Sequence, residues 1–109
     1  MEKGYIQIET TFEKIDDAKS FAKLILDAEL VACGQISRIE SIYNFEGKRY
    51  DEGEYLLSMK TKACFYNKCE EFIKKHHPYK VPQITAKALE FGSKEYLGWI
   101  DESLIKCKM

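Results

Sequence analysis

The sequence predicts an α+β domain of the split βαβ, ferredoxin-like kind, with an added C-terminal helix and a long protruding β-hairpin. Three observations predict it. Apolar spacing alternates between strand and helix periods in the order strand, helix, strand, strand, helix, strand, helix. The two adjacent strand runs are joined by a short glycine-bearing turn. Those runs are also too long for their body: arms of about 12 to 14 residues extend roughly 40 Å, whereas a domain of this size has a radius of gyration near ~13 Å.

Tyr5, Ile6, Ile8 and Thr10 form the first strand run, and Thr10 or Thr11 is the expected helix cap, followed by Glu13, Asp16 and Asp17. Ala18, Phe21, Ala22, Ile25 and Ala28 then recur at three- and four-residue spacing, one apolar helix face ending near Glu29. From Val31 to Phe45 the period becomes two, with Ile39, Ser41, Tyr43 and Phe45 on one face. Glu46 to Arg49 supplies the turn, and Tyr50 to Thr61 alternates again through Tyr55, Leu57 and Met59.

A second helix carries Phe65, Cys69, Phe72, Ile73 and His76 on one face and ends at Pro78 and Pro82. Val81 to Leu89 reads as the fourth strand, and Gly92-Ser93 opens a last helix spaced by Tyr96, Trp99 or Ile100, and Ser103 or Leu104. The overhanging hairpin, with Tyr43, Phe45, Tyr50 and Tyr55, exposes aromatic surface and strand edges that proteins normally cover. A partner subunit is the economical cover. Trp99, beside Tyr96, reads as a core or interface anchor.

Charge and length narrow the function. Seventeen basic and eighteen acidic residues give a net charge of -1 with no like-charged block, which argues against nucleic acid. No apolar run approaches the ~20 residues of a membrane span, and the N-terminus enters a strand at once rather than a signal pattern. The expected location is the cytoplasm. Residues 1–109 read as one domain, large enough to fold without disulfides or a structural metal. Cys33, Cys64, Cys69 and Cys107 show no CxxC pair and are expected to be free thiols, Cys33 in the core and Cys107 at an exposed terminus. There is no nucleophile elbow, phosphate loop or zincin motif, so an enzyme is not expected.

The only histidines, His76 and His77, are adjacent at the end of the second helix. Helical neighbours diverge by about 100°, but Pro78 pushes His77 out of the helical region and can re-aim its ring. His76 is expected to stay on the apolar stripe and His77 to face a cleft or subunit boundary. They are either metal ligands or hydrogen-bonded punctuation between helix and strand. As ligands they favour copper or zinc, copper ahead, with Glu70 or Glu71, water or another subunit completing the site. Lys60, Tyr79, Gln83 and Lys87 are candidates for a polar ligand cleft; the lysines equally suit surface snorkelling or pairing with Glu54 or Glu90.

Five stretches in one order, LVACG (30–34), SIYNFEGK (41–48), EYLLSMKT (54–61), HPYKVPQI (77–84) and GSKEYLGWI (92–100), make the whole chain resemble the CutA divalent-cation-tolerance family. The resemblance implies a tight homotrimer, similar to that of the PII regulatory proteins, in which each hairpin reaches over a neighbour. It implies association with copper or another divalent cation, held at His76 and His77 and at a cysteine ending the first strand. The alternative it implies is a PII-like small-ligand sensor or protein-interaction scaffold without a physiological metal. Here Thr10 replaces that cysteine, Gln83 replaces a glutamate after proline, Asn44-Phe45 replaces a tryptophan-bearing aromatic pair, and Arg49 stands at a commonly aliphatic place. The first two changes remove metal ligands and leave the fold inference intact.

Overall fold

The computed structural model describes residues 4–105. In chain order it contains β1 (Tyr5–Phe12), α1 (Ile15–Asp27), β2 (Cys33–Phe45), β3 (Lys48–Lys62), a 3-10 turn (Ala63–Phe65) running into α2 (Tyr66–His76), β4 (Thr85–Leu89) and α3 (Lys94–Ser103). The strands make one sheet in the order β2-β3-β1-β4, every neighbour antiparallel. That is the expected split βαβ arrangement with its extra helix.

Register decides which face is buried. Ile8 pairs with Met59 on one side and Ala86 on the other, and Thr10 pairs with Leu57. Ile6, Ile8, Leu57 and Met59 thus share a face, buried against Phe21, Ala22 and Ile25 of α1 and Cys69 and Ile73 of α2. Gly34 allows α1 to come close, since a Cβ there would stand 3.2 Å from Leu57 and 3.3 Å from Ala22. The opposite face carries Gln7, Glu9, Ser58, Lys60 and Lys87. α3 covers its Tyr5–Lys62 end, where Asp101 accepts from the Tyr5 hydroxyl at 2.7 Å and pairs with Lys62 at 3.2 Å.

Past the Phe12↔Tyr55 pair, β1 stops and β2 and β3 continue alone from Ile39↔Glu54 to Phe45↔Lys48. This arm stretches the molecule to 43 × 26 × 25 Å with a radius of gyration of 14.5 Å. The turn is shorter than expected. Only Glu46 and Gly47 lie outside the strands, at φ 52° and 78°, the doubly left-handed geometry that matches strand twist in a two-residue hairpin.

The structure corrects five local expectations. Thr10 and Thr11 do not cap α1, because β1 continues through both to pair with β3; Lys14 holds the cap position without a side-chain bond. β4 begins at Thr85 rather than Val81, since Pro82 has no N–H to give a sheet. His76 is exposed rather than buried with its stripe: α2 ends there, and its ring leans on Phe72 at 4.5 Å instead of entering the core. Cys64 is disulfide-bonded rather than a free thiol, a pairing that chain spacing does not reveal; Cys33 and Cys69 are free. Cys33 is half-buried and Cys107 lies outside the described residues.

Candidate functional site

His77 is the first residue past α2, with extended backbone at φ -80° and ψ 137° as the following proline requires. The turn drives its ring inward, where it stacks on Phe12 with centroids 4.3 Å apart. Its Nε2 lies 2.8 Å from the Thr11 carbonyl oxygen and its Nδ1 accepts from the Tyr79 N–H at 3.1 Å. A carbonyl can only accept, so Nε2 carries the proton and the ring is the neutral tautomer. Burial is the main cause holding its pKa below the usual histidine value, with the Thr11 bond opposing.

Held by that bond, Tyr79 turns its hydroxyl to Glu54 Oε2 at 2.7 Å. Burial, reinforced by the carboxylate, pushes the Tyr79 phenol far up. Glu54 is only 5 % exposed. Among the described residues this is its one hydrogen bond, and it has no ion pair. Tyr79 therefore ties the loop after α2 to the base of the hairpin arm.

Between loop and arm lies a groove of about 680 Å³. Tyr50, Glu52 and Glu54 reach it from β3, Ser41, Tyr43 and Phe45 from the matching face of β2, and Glu13 from the β1–α1 connection. Tyr43 and Tyr50 stack at 5.2 Å, and Tyr43 donates to Glu52 at 2.8 Å, a bond that pushes its phenol up to about 12. The lysine of the lining, Lys80, pairs with Glu46 at the hairpin turn, 3.7 Å away.

The residues singled out from sequence are divided between this groove and other places. Tyr79 and Gln83 line it, the Gln83 amide donating to Thr85 at 3.3 Å. Lys60 and Lys87 sit on the polar sheet face, where Lys60 donates to Gln35 at 2.8 Å and Lys87 pairs with Glu9 at 3.5 Å. Tyr43, Phe45 and Tyr50 line the groove, whereas Tyr55 lies on the other face against the core with Arg38 over its ring. Trp99 is partly exposed beside Tyr96. Sequence reasoning missed the groove's carboxylates; the alternation placing Tyr50, Glu52 and Glu54 on one strand face was the available signal.

A family model described as CutA1 divalent ion tolerance protein matches residues 6–103. The chain belongs to this CutA1 family. It is 37 % identical over 87 residues to the divalent-cation tolerance protein CutA of Thermus thermophilus, covering 79 % of this chain and 84 % of that one. The CutA of Archaeoglobus fulgidus is 34 % identical over 94 residues, 86 % of this chain and 92 % of that one. The crystal structure of CutA1 from Pyrococcus horikoshii superposes with a TM-score of 0.90 at 30 % identity, covering 93 % and 99 % of the two chains.

The CutA1 family name implies a divalent cation, and the residues present within one chain do not fit an enclosed site for one. Both ring nitrogens of His77 are engaged. Thr10 Oγ1 is buried without a partner, in the strand position where the resemblance would place a thiolate. No three His, Cys, Asp or Glu side chains gather as a ligand set among the described residues.

Proposed function

We propose that this CutA1-family chain is a homotrimeric, PII-like binding protein of the cation-tolerance response rather than an enzyme. The observation that carries the assembly is the arm: Ile42, Tyr43 and Phe45 are 67 %, 38 % and 38 % exposed on strands that extend past the body. A second copy laid against it would remove that apolar surface from water and cover the open edge of β2. Light scattering should give three times the 12.7 kDa chain mass, and a mass of one chain overturns the reading. No described helix is long and apolar enough to cross a membrane.

The cation in this reading is copper(II), the divalent ion for which imidazole has the highest affinity. Its contact is His76, exposed and without a hydrogen bond among the described residues, with His77 as the brace behind it. One imidazole per chain makes a weak, exchangeable ligand. In a copper titration against a competing chelator, His76→Ala should lose binding and His77→Phe should keep it; binding equal in wild type and His76→Ala sinks the assignment.

The groove favours a second reading, a small-ligand sensor whose cleft is closed by the neighbouring copy laid against the arm. Its volume falls in the range of small-molecule sites, and its lining mixes aromatic faces with a few convergent polar groups. Saturable thermal stabilisation by a ligand, retained in the presence of chelator, is the expected signature.

A further inference from the structure

We propose that Cys64 is a thiol–disulfide exchange site, paired with Cys107 of the C-terminal tail as a reversible staple. The chain has four cysteines, Cys33, Cys64, Cys69 and Cys107. Cys33 and Cys69 are free thiols while Cys64 is disulfide-bonded, and that leaves Cys107, outside the described residues, as its partner. The described chain leads to the same pairing. After α3, Leu104 and Ile105 pack against the same core as Ala63 and Cys64. The Ile105 N–H donates to the Glu29 carbonyl at 3.1 Å, and the carbonyl of the next residue, Leu30, accepts from the Thr61 hydroxyl at 2.7 Å. This run of contacts brings the tail, two residues before Cys107, to the end of β3, three residues before Cys64. None of these contacts needs the sulfur bond, so opening it leaves the chain anchored as far as Ile105.

The exchange partner is a small dithiol. One of its thiolates bonds to a sulfur of the staple as the S–S bond breaks, and its second thiol then closes on the first and releases the chain. Two electrons and two protons pass to the chain, which ends with two thiols, while the reductant ends as a disulfide. The closed staple ties off a loop of about 40 residues that holds α2, β4 and α3, which removes entropy from the unfolded chain and raises the Tm. Oxidising surroundings close it and reducing ones open it. The core clusters Ile6, Ile8, Leu57 and Met59 with both α1 and α2, so the fold does not depend on the bond.

The test is peptide mass mapping of the air-oxidised full chain, with free thiols alkylated in denaturant, alongside melting curves; both are repeated after the folded protein has been treated with dithiothreitol. Before reduction, a linked Cys64–Cys107 peptide is expected, with alkylation at Cys33 and Cys69 alone. After reduction all four cysteines should be alkylated, and the Tm should be about 10 °C lower. Cys107→Ser should melt where the reduced wild type does and show no response to dithiothreitol. Four free thiols before reduction overturn the proposal, as does Cys64 linked to Cys33, to Cys69 or to another copy. A linked pair that dithiothreitol leaves intact in the folded chain overturns the exchange, and a Tm unchanged by reduction overturns the staple.

Discussion

At His77 both ring nitrogens are used within the fold, and that gives its protonation a definite cost. A second proton on Nδ1 breaks the bond from the Tyr79 N–H, and burial already disfavours the charged ring. The folded-state pKa lies below the unfolded value of about 6.5, so the unfolded chain takes up the proton first. The stability from neutral His77 is therefore complete above about pH 6.5 and is lost as pH falls below it toward the folded pKa. Urea midpoints of wild type should fall between about pH 7.5 and about pH 5, with a smaller fall in His77→Phe. That variant keeps the stack on Phe12 but loses both hydrogen bonds, and it should cost about 1–3 kcal/mol at the upper pH. Tyr79→Phe leaves the Glu54 carboxylate without its donor and should cost roughly 1.5–3 kcal/mol by the same measurement. The proline effect at His77 was legible in His77-Pro78; its bonds to Thr11 and Tyr79 were not, because Thr11 is 66 residues away and only strand pairing fixes its carbonyl.

Among the elements, the hairpin turn is the most exacting. Glu46 and Gly47 both hold positive φ, which glycine adopts freely and glutamate does not. Gly47→Ala should destabilise by about 1 kcal/mol, and Glu46→Asn should stabilise by about 0.5 kcal/mol, both read from denaturant midpoints. The opening of α3 was readable in Gly92-Ser93: Ser93 Oγ accepts from the Tyr96 N–H at 3.1 Å. Ser93→Ala should cost about 1 kcal/mol. The start of α1 misled for a physical reason, since threonine suits both a cap and a strand, and the register with Leu56 and Leu57 settles it. β4 shows the converse, an extended and apolar Val81–Ile84 stretch kept out of the sheet by Pro82.

For the whole molecule, the proposed trimer makes stability a function of concentration. Anything that binds the folded chain, a second copy included, raises its melting temperature by mass action. The Tm should rise with protein concentration and fall in Ile42→Lys, which puts a charge on the exposed arm; light scattering on the same samples should show the variant's mass reduced while its circular dichroism is unchanged. A concentration-independent Tm contradicts this.

The sequence by itself determined the order and period of the elements, the overlong hairpin and the family. These depend on residues a few places apart, on turn chemistry, and on short motifs read in order along the chain. Tertiary structure alone decided that Lys60 and Lys87 sit on the sheet face, engaged with Gln35 and Glu9, apart from the groove that Tyr79 and Gln83 line. It also decided that one buried carboxylate, Glu54, accepts from Tyr79 of the loop after α2 and lines the same groove as Tyr43 and Tyr50 of the arm. The reason is physical: burial, charge pairing and a shared cavity are relations between distant segments, and they exist only after register and packing have brought those segments together.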